Sequence, residues 1–133
     1  MLPKGYRDPW GCGHRVWERS FRRSAGVDEA GGGALGAPVV ELHTGAYCDG
    51  SPGYERDAQL ERIIRAAKHA GDIGLECHAG HGLTFDTVKP VAEIANIAEL
   101  NIGHFLVGEA IFVGLGNSIS EIRRLMVEAR VGK

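Results

Sequence analysis

From Pro38 onward the apolar positions fall into short runs separated by longer periodic stretches. Val39-Val40-Glu41-Leu42-His43 is a β-branched apolar run closed by Thr44-Gly45, the pattern of a buried strand. Residues Tyr47 to Tyr54, with Asp49, Gly50, Ser51, Pro52 and Gly53, read as a loop. Then Leu60, Ile63, Ile64, Ala67 and Ala70 recur on one stripe, while Arg56, Glu61, Arg62, Arg65 and Lys68 lie outside it. That spacing predicts an amphipathic helix from about Glu55 to Ala70. Glu55 and Asp57 suit the positive end of its dipole, and Gly71 or Gly74 can stop it. Leu75 to His78 reads as a second strand. Asp86 or Thr87 can cap a short helix through Ile94, with Pro90 tolerated near its first turn. Ala98 to Ile102 reads as a third strand and His104 to Val113 as a short helix. The last helix is expected to start at Asn117-Ser118. Ser118 and Glu121 have capping-box spacing, and Ile119, Ile122, Met126 and Ala129 form the expected buried stripe.

Strands that alternate with helices call for a parallel sheet and right-handed crossovers, so the expected class is α/β. Every ligand-facing loop then lies at the carboxyl end of a strand. In TIM barrels a phosphate site commonly uses the last two strand ends and a short extra helix. Residues 1–36 fit no such pattern. They carry Arg7, Arg15, Arg19, Arg22, Arg23, two tryptophans and Gly31-Gly32-Gly33, with no sustained period. They read as a disordered or irregular leader, with the ordered domain spanning 37–133. Asp8, Glu18, Asp28 and Glu29 dilute the basic charge, which weakens the reading of a nucleic-acid arm.

Composition narrows the function classes. With 133 residues the chain can build one domain with a real core, and 44% hydrophobic and 24% charged residues are ordinary for a soluble protein. A net charge of −2 gives no electrostatic case for nucleic acid or an anionic membrane. Cys12, Cys48 and Cys77 are odd in number and widely spaced, which speaks for a reducing compartment rather than a disulfide framework. The start has no apolar signal-peptide core, and the run from Phe105 to Leu115 is too short to span a bilayer and is broken by Glu109. A cytoplasmic location is expected.

The chemistry concentrates in residues 74–116. Two apolar strands each run into a glycine–histidine pair, Gly80-His81-Gly82 and Gly103-His104. Glycines at strand ends allow tight turns and close backbone approach. A helix starting just after such a turn offers unpaired N–H groups and the positive end of its dipole to an anion, most often phosphate. The bland alternatives are an ordinary turn at Gly103 and a histidine at position 81 that only bonds loop carbonyls. Cys77-His78-x-x-His81 with His104 also invites a zinc reading. Adjacent strand residues point to opposite faces, so Cys77 and His78 do not readily face one ion, and no metal is expected.

From about Ala34 to Arg130 the chain resembles pyridoxine 5′-phosphate synthase. The resemblance rests on Gly36-Ala37-Pro38-x-x-Glu41-Leu42-His43-Thr44-Gly45, Ala79-Gly80-His81-Gly82-Leu83-Thr84 and Val88-Lys89-Pro90. It continues in Glu99-Leu100-Asn101-Ile102-Gly103-His104 and Gly108-x-Ala110-x-Phe112-Val113-Gly114-Leu115. It implies a TIM barrel with extra helices, of which this chain holds the last three strands and their helices. It implies condensation of 1-deoxyxylulose 5-phosphate with 3-amino-2-oxopropyl phosphate to pyridoxine 5′-phosphate, without metal or organic cofactor, in a homo-oligomer that is typically an octamer. By the same resemblance His81 is a proton donor, which suits a side chain that titrates near neutral pH. Gly82, Gly103 and His104 hold phosphate, and Glu41, facing the barrel interior or mouth near the substrate, has a supporting catalytic role. His43 and Thr44 either line that mouth or bond to residues that do.

The resemblance also implies catalytic groups on earlier strands that have no counterpart here. A complete barrel takes about 250 residues. The expectations are therefore a truncated or frame-shifted reading of a longer gene and no turnover by the chain alone; the alternative is a non-catalytic half-barrel that binds a phosphorylated ligand or another barrel fragment. Self-association is expected too, through open sheet edges and an uncovered apolar face.

Overall fold

The structure is a computed structural model, and it describes residues 38–131. The expectation of an irregular leader over 1–36 lies outside the described residues. The described chain runs β1 (Val39–His43), α1 (Gly45–Asp49), α2 (Tyr54–Asp72), β2 (Glu76–Gly80), α3 (Val88–Ala92), β3 (Ile97–Asn101), α4 (His104–Val113) and α5 (Leu115–Val131). The three strands form one parallel sheet in the order β1-β2-β3. This is the α/β alternation that the pattern of runs and stripes predicts.

Burial alternates along β1. Val40 and Leu42 are buried while Val39 and Glu41 are exposed. In β2 Cys77 and Ala79 are buried, and Ile97 is buried at the start of β3. These side chains meet the buried stripes of the helices, Ile63, Ala67 and Ala70 on α2 and Val88 and Val91 on α3. Removal of such apolar surface from water is the main force holding sheet and helices together. A second cluster joins α3 to α5 through Val88, Ile122 and Leu125, with Phe85, Leu100, Ile102, Leu106 and Met126 packed against it. Arg130, near the end of α5, donates to the Ile97 carbonyl at 2.6 Å and so pins that helix to the start of β3.

The other face of the sheet is different in kind. Glu41, Glu76, Glu99 and Asn101 are exposed on it and His78 is half-buried, bonded through Nε2 to Glu76 at 2.7 Å. The sheet face that no described element covers is thus polar, which corrects the expectation of an uncovered apolar one. The exposed apolar surface lies elsewhere. Helix α4 buries no residue, and Ile111 and Phe112 are 81% and 83% exposed, with Val107 and Leu115 beside them.

Several local expectations are also corrected. The segment after β1 is a single helical turn, α1, rather than loop; five residues are too few to display a period. Its Tyr47 is buried and donates to the Thr87 carbonyl at 3.0 Å, tying α1 to the turn before α3. Helix α5 starts at Leu115, so Ser118 is inside it. Buried there, the Ser118 hydroxyl bonds the Leu106 carbonyl at 3.1 Å instead of capping the helix. The buried stripe of α5 is Ser118, Ile122, Leu125 and Ala129, while Ile119 is exposed. On α2, Ile64 is exposed. The β2–β3 pairing carries an irregularity between Cys77 and His78, after which His78 lies opposite Glu99 rather than Ala98.

Burial pushes the Cys77 thiol up to about 11, so the reactive thiolate is scarce near neutral pH. Iodoacetamide at pH 8 is therefore expected to leave Cys77 unmodified in the folded protein and to label it promptly in denaturant. Peptide mass mapping of the two samples reads the difference.

Candidate functional site

The parallel pairing decides where the glycine–histidine turns lie. Gly80 is opposite His43 on one side and Asn101 on the other, so all three strands leave the sheet at the same edge. In open α/β sheets this carboxyl edge is where ligands bind. Gly80 is required by crowding: a Cβ there would stand 2.7 Å from the Asn101 carbonyl oxygen and 2.8 Å from Glu41 Oε1.

His81 follows with φ 81°, the one non-glycine residue with positive φ among the described residues. Holding an L-residue there costs on the order of 1–3 kcal/mol. Compensation comes from the β1–α1 corner. The Thr44 hydroxyl lies 2.6 Å from the His81 carbonyl oxygen and 2.8 Å from that of Gly80, and the Thr44 amide donates to Gly80 at 2.7 Å. The His81 ring stacks on His43, centroids 4.1 Å apart and planes 28° from parallel. The Gly45 amide donates to His43 Nδ1 at 3.2 Å. That bond leaves Nδ1 without a proton and orients the ring beneath His81. His81 itself is exposed at the edge. Thr44 is thus hydrogen-bonded to the histidine turn, and His43 is stacked on the His81 ring.

Glu41 lies on the open polar face, exposed rather than buried, because no described element covers that face. Asn101 Nδ2 donates to its Oε2 at 2.8 Å and fixes the carboxylate beside Gly80, one strand from the histidine turn. Cys77 and His78 stand on opposite faces of β2, Cys77 buried and His78 beside Glu76 and Glu99.

Gly82 and Gly103 play different structural parts. Gly82 has φ 80°, and a Cβ there would meet Cys48 Cβ at 3.1 Å, so both conformation and space demand glycine. Gly103 precedes α4 with φ −121°, and a Cβ there would meet nothing within 4 Å. No side chain caps α4, which leaves its first N–H groups available to a ligand at the carboxyl edge. His104, the first residue of α4, is exposed. The structure therefore brings His81 together with His43, Thr44 and Gly82 on the β1 side, and sets Gly103 and His104 at the end of β3. Sequence reasoning assigned His81, Gly82, Gly103 and His104 but left out Asn101 and Cys48. The signal for Asn101 was its place one strand-pair from Gly80, which needs the register to be seen.

The two glycines give a paired prediction. Gly82→Ala is expected to destabilise by about 1 kcal/mol or more, through φ and the Cys48 contact. Gly103→Ala, where φ is negative and a Cβ meets nothing within 4 Å, is expected to cost less. Thermal unfolding of the two variants checks both.

A parallel sheet backed by helices, with glycine turns and an uncapped helix at its carboxyl edge, defines an α/β protein. The family model described as "Pyridoxal phosphate biosynthesis protein PdxJ" matches residues 27–128. The chain belongs to this family. It is 67% identical over 99 residues to the pyridoxine 5′-phosphate synthase of Rhodospirillum rubrum, covering 74% of this chain and 40% of that protein. It is 58% identical over 99 residues to the enzyme of the same name from Ruegeria pomeroyi (72% and 40% covered). For that from Caulobacter vibrioides the identity is 60% over 99 residues (72% and 39% covered). The chain thus spans about 40% of the length of these curated relatives.

Proposed function

We propose that this chain supplies the phosphate-holding part of a pyridoxine 5′-phosphate synthase. The three described strands and their helices would be the last three of a TIM barrel. Its open polar face, with Glu41, His78, Glu99 and Asn101, would turn toward the barrel interior. The observation that carries the reading is the carboxyl edge itself. A histidine held in left-handed backbone between two glycines sits there, one strand from the uncapped start of a helix.

In this reading the backbone N–H groups of Gly82, Gly103 and His104 bind substrate phosphate, with the dipole of α4 adding to the attraction. His81 gives a proton to the leaving oxygen as the 1-deoxyxylulose 5-phosphate and 3-amino-2-oxopropyl phosphate carbons are joined. Glu41, held by Asn101, supports the charge that develops beside it. No metal or organic cofactor has a part. The setting is cytoplasmic; among the described residues no helix is long and apolar enough to cross a membrane.

General acid catalysis needs its partner groups, so the 133 residues expressed by themselves are expected to bind phosphate without turnover. The same residues should support turnover when they replace the matching segment of the Rhodospirillum rubrum enzyme. Product formation from the two phosphorylated substrates tests both statements. Turnover by the isolated chain would refute the first, and a folded but inactive chimera would refute the second.

Self-association of the isolated chain belongs to the same proposal. Among the described residues β1 and β3 are open edges, and Val107, Ile111 and Phe112 present apolar surface on α4. Size-exclusion chromatography with light scattering is expected to show a mass above the monomer's; a sharp monomer at micromolar concentration contradicts it.

A further inference from the structure

We propose that Thr44 is a positioning residue for His81, its hydroxyl holding through the His81 carbonyl the left-handed backbone that aims the imidazole. The inference rests on the role given to His81 in the proposed function and deepens it. Thr44 is fully buried. Its amide already satisfies the Gly80 carbonyl at 2.7 Å, and it extends the β1–β2 ladder by one bond. The hydroxyl has one proton to give. Of the two carbonyl oxygens within reach, that of His81 is nearer, at 2.6 Å against 2.8 Å, and is the one the ladder leaves over. The Cys48 thiol lies 3.9 Å from the Thr44 hydroxyl and 3.8 Å from the His81 carbonyl, a soft second contact on the same two groups.

The carbonyl so held is the one between His81 and Gly82. Its orientation sets where the Gly82 N–H points, because the two belong to one planar peptide unit. A single hydroxyl thus fixes the imidazole on one side and a phosphate-facing amide on the other. His43 completes the arrangement as a flat backstop for the ring. Removing the hydroxyl lets His81 relax toward negative φ, where an L-residue is unstrained, and swings the ring away from His43.

The test compares Thr44→Val with Thr44→Ser in the full chain by nuclear magnetic resonance. In Thr44→Val the His81 Cα shift and amide–Hα coupling should move to values of negative φ. The ring protons should lose the shift imposed by His43, and affinity for inorganic phosphate should fall about tenfold, the worth of one hydrogen bond. Thr44→Ser should restore all three. Unchanged His81 backbone and ring signals in a folded Thr44→Val, or no rescue by serine, overturn the proposal. If Thr44→Val does not fold, the wild type answers: a slowly exchanging Thr44 hydroxyl proton with a scalar coupling to the His81 carbonyl carbon supports the latch, and one that exchanges freely or couples to Gly80 instead overturns it. A wild type that ignores inorganic phosphate sinks the phosphate reading instead, and leaves the backbone comparison to be judged separately.

Discussion

Replacing His81 by alanine is expected to lower turnover by roughly 10²- to 10⁴-fold, the range for loss of a positioned general acid. The measurement is made in a chimera carrying residues 27–128 in place of the matching segment of the Rhodospirillum rubrum enzyme. The loss should fall on kcat more than on KM, because a proton given to a leaving group matters in the transition state and little in the ground state. His81→Gln keeps a side chain able to pack on His43 yet cannot shuttle the proton, so it should be nearly as slow as alanine. His81→Gly provides the complementary control. Glycine accepts φ 81° without strain, so the fold should hold while the chemistry is lost. Near-normal kcat in His81→Gln would mean that the ring serves the turn and not the reaction.

The largest expected effect on stability is that of Leu42→Ala. Leu42 is fully enclosed in the middle of the core between β1 and the helices, among the largest completely buried side chains. Truncation there removes three carbons' worth of buried surface and leaves a cavity, which costs about 2–5 kcal/mol. A domain of this size has a net stability of only about 5–15 kcal/mol, so urea unfolding should shift to a much lower midpoint. Glu76→Ala, on the open polar face, is the contrast. Its bond to His78 is solvent-exposed, and its loss should cost no more than about 1 kcal/mol. Equal costs at the two positions would mean that the open face is packed as tightly as the helix side.

What could be read from sequence follows from how far each signal reaches along the chain. The stripe over α2, from Leu60 to Ala70, spans about three turns and outvotes any single residue, so the element stands as predicted, with its ends extended to Tyr54 and Asp72. The three strands were legible because each is a short apolar run followed by glycine. α1 was not, since one turn has no period and Gly45, Asp49 and Gly50 suggest a loop. The capping spacing of Ser118 misled because a tertiary bond to Leu106 outweighs the local one. At the site, the glycine–histidine turns were visible as motifs. The clasp of Thr44 and His43 on His81 was not, because it joins residues more than thirty apart and depends on the parallel register of β1 and β2. The polarity of the open sheet face was present in the alternation Glu41, Glu76, His78, Glu99, Asn101. It becomes interpretable only once the irregularity between Cys77 and His78 fixes which residues share a side.

The central claim is that the turns after β2 and β3 form one receptor for a phosphate group, and a titration of the isotope-labelled chain with inorganic phosphate tests it most directly. The account predicts that the amides of Gly82, Gly103 and His104 shift together along one saturating curve, with thermal stability rising in step. Shifts at only one of the two turns, two curves with separate midpoints, or no response at either would contradict it.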